Sequence, residues 1–150
     1  MQILLQEPSF DAGALLNAFT AGAGNIGAVV SFTGVVRDHP QTPLTAMEIE
    51  HYPGMTERAL EEIAKSAVQR WSLGDVLVVH RFGRLTPGEQ IMMVAAAAPH
   101  RRDAFDAADF LMDYLKSRAP FWKREITAQG PQWVQANPQD EDALARWSKD

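Results

Sequence analysis

A chain of 150 residues, 46% hydrophobic and 22% charged, can bury one core and is expected to form a single domain spanning residues 1–150. With 19 Asp+Glu against 14 Lys+Arg it carries a net charge of -5, which argues against non-specific nucleic-acid binding, a mode that needs a broad basic face. Zero cysteines exclude a disulfide, a thiolate nucleophile, a zinc–thiolate site and a persulfide, so any sulfur chemistry must use sulfur brought by another molecule.

No apolar run approaches the ~20 residues of a membrane helix. Residues 1–7 lack the basic start and apolar stretch of a signal peptide, so a cytoplasmic protein without membrane contact is expected. In chain order, residues 3–5 read as a short strand. Ser9 then caps a helix over 11–19, with Ala14, Leu15, Ala18 and Phe19 on one face. Residues 26–36 are rich in Val, Ile and Phe and read as a strand, with 45–52 as a partner. Pro53-Gly54 marks a turn, and Thr56 caps a helix reaching about Trp71. Residues 75–82 and 90–98 read as a hairpin around Pro87-Gly88. A helix over 102–118 follows, stopped by Pro120, then short strands at 121–127 and 132–135. Residues 140–147 read as a closing helix in a loosely held, acidic tail from about 138 to 150. Strand pairs mixed with three or four helices predict an α+β fold, with a mixed or antiparallel sheet and flanking helices.

Gly22-Ala23-Gly24-Asn25-Ile26-Gly27 matches the G-x-G-x-x-G pattern of dinucleotide binders, but a helix precedes it and a strand follows, the reverse of the order that motif needs. A connecting loop is expected, and no nucleotide cofactor. His39, His51, His80 and His100 lack metal-ligand spacing, so no metal is expected. There is no G-x-S-x-G elbow and no P-loop.

Cations mark three places. His100-Arg101-Arg102 precedes the long helix, whose N-terminus favours anions; the alternative is arginines paired with Asp103 or Asp106. Arg37 ends the strand of Phe32-Thr33-Gly34-Val35-Val36, where it either meets a ligand or pairs with Asp38 or a sheet-edge acid. Lys116, Arg118, Lys123 and Arg124 cluster around Pro120. On a helical wheel Ala104, Ala108, Leu111 and Leu115 form a core stripe, flanked by Arg101, Phe105, Met112 and Lys116. Lys116 either snorkels to water or is met by Lys123 folding back past Pro120; two close ammonium groups lower each other's pKa and suit an anion site. Arg101 and Lys116, fifteen residues apart on one helix, are separated by roughly 22 Å. They therefore serve different sites or meet across a two-fold homodimer with composite sites, the arrangement we expect.

These segments resemble the large, catalytic subunit of molybdopterin synthase from about Gly27 to Trp133. The marks are Phe32-Thr33-Gly34-Val35-Val36-Arg37, Glu50-His51-Tyr52-Pro53-Gly54-Met55, His80-Arg81-Phe82-Gly83, Pro87-Gly88-Glu89, His100-Arg101 and the run from Asp113-Tyr114-Leu115-Lys116 through Pro120-Phe121-Trp122-Lys123-Arg124-Glu125. Ala97-Ala98-Pro99 departs from the family, which often has a small polar residue there. The resemblance implies an α/β-hammerhead fold and a homodimer binding two small ubiquitin-like sulfur-carrier subunits, each with a Gly-Gly tail ending in a thiocarboxylate, as a heterotetramer. It implies a sulfurtransferase that converts cyclic pyranopterin monophosphate (precursor Z) to molybdopterin in molybdenum cofactor biosynthesis. Lys116 and Lys123 would be catalytic. Val35, Val36, Arg37, His100, Arg101, Arg124 and Glu125 would join them in binding substrate. Met112, on the flank of the helix, either forms an apolar wall for the pterin or packs in the core. The competing expectation is a non-catalytic dimeric scaffold that binds a small protein and a phosphorylated ligand.

Overall fold

A computed structural model describes residues 1–135 and 137–148; residues 149 and 150 of the expected tail lie outside these. The elements run β1 (Gln2–Gln6), α1 (Ala12–Gly22), β2 (Ala28–Val35), β3 (Leu44–His51), α2 (Met55–Trp71), β4 (Asp75–Arg81), β5 (Gly83–Leu85), β6 (Gln90–Ala98), α3 (Arg101–Ser117), β7 (Phe121–Thr127), β8 (Gly130–Trp133) and α4 (Pro138–Ala145), closed by a 3-10 turn (Arg146–Ser148). The fold is α+β, and its strands form two four-stranded sheets.

The first sheet has the order β1-β4-β6-β2, with β1 parallel to β4 and the other pairs antiparallel. Its centre is apolar on both faces because helices cover both. Val76, Val78, Val94, Ala96 and Ala98 face α2 and α3, meeting Leu60, Ala64, Ala67, Ala104, Ala107 and Leu111. The alternate residues Leu77, Val79, Met93, Ala95 and Ala97 face α1 through Phe19 and Ala23. The second sheet, β5-β3-β7-β8, is antiparallel throughout. Leu44, Ile49 and Leu85 join it to the first core. The predicted stripe of α3 is buried as expected, at Ala104, Ala108, Leu111 and Leu115.

Local readings change in four places. Asp11, not Ser9, caps α1, its Oδ1 accepting from Ala14 N at 3.0 Å. Gly54 precedes α2, and Thr56 is instead fully buried, its Oγ1 accepting from Tyr52 N at 3.1 Å and donating to Pro120 O at 3.4 Å. β4 and β6 pair, but the chain first leaves that sheet to form β5 in the other, so Pro87-Gly88 joins β5 to β6. Gly83 permits this exit: its φ is +90° and an added Cβ would meet Glu7 at 2.9 Å. Finally, the closing helix begins at Pro138 behind an Asn137 cap and is anchored rather than loose, through Leu144, 7% exposed, and Arg146, held by Asp109 and Asp113. No helix among the described residues is long and apolar enough to cross a membrane.

Candidate functional site

The chain reverses sharply after α3. Arg118 N closes the helix on Tyr114 O at 2.7 Å, and Phe121 N reaches Ala119 O at 2.8 Å across Pro120. β7 then carries Lys123 back to Lys116. The Lys123 side chain is held down at about 8 by burial first and then by the Lys116 ammonium, with Asp140 opposing. Among the described residues no carboxylate lies within ion-pair distance of either lysine. Two ammonium groups without a contact counter-ion leave their donors free for an anion.

An uncharged wall stands beside them. His80 on β4 is 4% exposed, bonds Arg81 O through Nδ1 at 2.7 Å and stacks on Phe121 at 3.7 Å between ring centroids. Burial pushes its pKa down to about 3; the bond to Arg81 opposes this, and Lys123 and His51 add to it. His80 is therefore neutral where the lysines act. The signal that marks it in sequence is a titratable residue ending the apolar run Val76-Leu77-Val78-Val79.

Strand register places Arg37 at the same end of the molecule. His80 pairs with Met92, near the start of β6, and Gln90 pairs with Val35 at the end of β2. α3 follows β6 directly and runs back over β6 and β2, bringing Lys116 to that end. A bulge at Gly34/Val35 breaks the alternation there. Val35 is 51% exposed, whereas Val36 is 2% exposed and packs in the core. The Val36 N–H donates to Glu89 O at 2.9 Å and its carbonyl accepts from Gly88 N at 2.8 Å, so Val36 aims Arg37 rather than offering groups of its own. The Asp38 carboxylate accepts from His39 N at 2.8 Å and Leu44 N at 2.7 Å, and it does not pair with Arg37. Met112 is half-buried on the flank of α3 and packs against the core.

His100 and Arg101 are not brought to the lysines. They open α3 at its far end, roughly 22 Å away along the helix. Both are exposed, and Arg101 and Arg102 have no ion-pair partner among the described residues, so pairing with Asp103 or Asp106 does not occur. The Gly22–Gly27 loop supports this end: Gly27 N donates to Ala98 O at 3.0 Å, and a Cβ at Gly27 would lie 2.3 Å from Pro99 O. Its glycine serves close packing.

β7 divides the remaining expected residues. Lys123 and Glu125 share one face by period-2 alternation, whereas Arg124 points to the other, bonding Glu48 at 2.5 Å and lying 5.4 Å over the Trp133 ring. The Glu125 carboxylate meets His39 Nε2 at 2.6 Å, beside an open cleft of about 490 Å³ lined also by Pro40, Gln41, Thr42, Thr127 and Gln132. Neither Lys116 nor Lys123 lines that cleft. No group of three or more His, Asp or Glu among the described residues could hold a metal ion.

Residues 5–118 match the model of the family described as MoaE protein. A molybdopterin synthase catalytic subunit from Cereibacter sphaeroides is 61% identical over 147 residues, covering 98% of this chain and 100% of the relative. A solved molybdopterin biosynthesis MoaE protein from Burkholderia ambifaria superimposes with a TM-score of 0.85 at 51% identity, over 99% of each chain. A molybdopterin synthase structure from Staphylococcus aureus does so with a TM-score of 0.80 at 28% identity, over 88% of this chain and 96% of that one.

Proposed function

Because the chain belongs to the MoaE family and is thereby a molybdopterin synthase catalytic subunit, a sulfur-transferring enzyme, we propose that sulfur transfer takes place at the bend where Lys116 meets Lys123. One observation carries this reading: past the turn at Pro120, Lys123 lies near enough to Lys116 for that charge to lower its pKa, and among the described residues neither lysine has a carboxylate within ion-pair distance. Such a pocket attracts anions, and both proposed reactants are anionic. One is cyclic pyranopterin monophosphate; the other is the thiocarboxylate that ends the Gly-Gly tail of a small ubiquitin-like carrier subunit.

The lysine ammonium groups would stabilise the oxyanion that forms at the carrier's acyl carbon as it gives up sulfur. Lys123, brought to about 8, can also release and regain a proton near neutral pH, as proton movement at the pterin side chain requires. Arg37 leaves β2 at this end and would assist the phosphate, with Val35 exposed beside it. Met112 would wall the pterin. Glu125 shares the Lys123 face and would border the site through its contact with His39, whereas Arg124 acts from the opposite face by holding β7 against Glu48. His100 and Arg101 at the start of α3 would bind the phosphate in the site of a second copy, so that a homodimer carries composite sites and, with two carriers, forms a heterotetramer.

The test is a reconstituted assay with thiocarboxylated carrier and cyclic pterin. Lys116→Ala and Lys123→Ala are each expected to abolish nearly all molybdopterin formation while the carrier still binds. Turnover at the wild-type rate in both would refute the lysine assignment. Weakened binding with turnover intact would point instead to a scaffold.

A further inference from the structure

The stretch that carries Arg37 is strung between two supports. On one side Val36 is held to the turn between β5 and β6 by its bonds to Glu89 O and Gly88 N, at 2.9 and 2.8 Å. That turn is itself braced. The Glu89 carboxylate accepts from Thr86 N at 2.6 Å and Thr86 Oγ1 at 3.0 Å, and the buried Arg81 donates to it at 3.3 Å. On the other side, residues 38–43 complete the loop to β3, closed at its base where the Asp38 carboxylate accepts from Leu44 N at 2.7 Å. Among the described residues, 39–43 make one side-chain hydrogen bond to another element: His39 Nε2 meets the Glu125 carboxylate on β7 at 2.6 Å. A carboxylate accepts, so Nε2 carries the hydrogen.

We propose that His39 is a positioning residue for the sulfur-transfer site: its bond to Glu125 fixes the loop that leaves Arg37 to the strand that carries Lys123. The inference rests on the reading of Arg37 as a phosphate ligand and of Lys123 as catalytic. The spacing is matched on the two sides. His39 follows Arg37 by two residues, and Glu125 follows Lys123 by two, on the same face of β7 and about 7 Å along it. One short bond therefore sets the two cations in a common frame, although β2 and β7 belong to different sheets. Arg37 is exposed and has no ion-pair partner among the described residues, so its direction depends on the backbone anchored on either side of it. The same bond occupies Glu125. A glutamate two residues from a lysine on one strand face can reach and neutralise it, yet no ion pair joins Glu125 to Lys123; the carboxylate is turned to His39 instead. Without His39 the loop keeps only its base. Arg37 then samples more positions, and the cost of ordering it falls on substrate binding.

The experiment uses the full chain with thiocarboxylated carrier and cyclic pterin. His39→Ala is expected to raise KM for the pterin roughly tenfold while kcat changes by less than about twofold. Backbone amides of residues 38–44 should exchange with solvent faster than in wild type, read by peptide mass spectrometry. His39→Asn, too short to reach Glu125, should behave like His39→Ala, whereas His39→Gln, whose amide can still donate, should restore both readouts. Combining His39→Ala with Glu125→Ala should raise KM no further than Glu125→Ala does alone. Unchanged amide exchange in His39→Ala and His39→Asn overturns the anchor. Faster exchange with an unmoved KM, a loss confined to kcat, or additive losses in the double variant overturns the positioning role. Failure of the underlying reading is seen separately, as an unmoved KM in Arg37→Ala or turnover surviving in Lys123→Ala.

Discussion

Lys123 is brought towards neutral pH by enclosure and by one neighbouring cation, and both effects have a sign that experiment can read. Its pKa falls from 10.5 to about 8, so the ammonium is present below that value and lost above it. Molybdopterin formation should therefore decline as pH rises through about 8. Lys123→Arg, which stays charged, should remove that limb while lowering the rate, and a kcat-against-pH profile of the pair checks it. His80 gives a prediction on stability. The unfolded ring binds a proton near 6.5, whereas the native ring refuses it until about 3, so the unfolded state gains protons first as pH drops. Stability should fall across that window, and melting temperatures between pH 7 and 4 should fall less steeply for His80→Gln than for wild type.

At the scale of elements, α3 sets the geometry and the C-terminal segment packs against it. Asp113 accepts from Arg146 and the Trp147 indole, and Trp147 stands edge-on to Trp71 and Phe110 at 5.6 Å each. Asp113→Ala should cost about 1–2 kcal/mol, because the bonds it loses are charge-assisted. Thermal unfolding should show a drop of roughly 2–8 °C. At the other end of α3, Gly27→Ala would drive a methyl into the Pro99 carbonyl. The expected result is a loss of about 2 kcal/mol or more, with weaker binding of a phosphorylated pterin as His100 shifts. Calorimetry and a titration would measure the two effects.

At the scale of the whole molecule, the proposed reading gives one chain two half-sites, lysines at one end of α3 and His100 with Arg101 at the other. A composite dimer predicts complementation. Lys123→Ala and Arg101→Ala are each expected to be inactive, yet a heterodimer of the two would have one site with both groups intact. Equal mixing after subunit exchange should recover about one quarter of wild-type activity, from half the dimers with one good site of two. Sites confined to single chains would give none.

Much of this was legible in the order of residues. The 3.6-residue stripe of α3 and the stop at Pro120 are local properties, and they sufficed to set Lys116 on the core's edge with Lys123 past a bend. Helix rise alone separated Arg101 from Lys116. Other features depended on partners distant in sequence. β5 is three residues long and exists because Gly83 turns the chain towards β3, which sequence periodicity cannot register. The closing helix reads as loosely held in sequence because Asp113, which anchors it, lies 34 residues from Trp147. The residues alone therefore determined which cations this protein carries and on which elements, since helix and strand periods and a proline are read locally. Only the tertiary structure decided what surrounds the buried Lys123, because the Lys116 charge, the neutral His80 and Asp140 reach it from three separate elements.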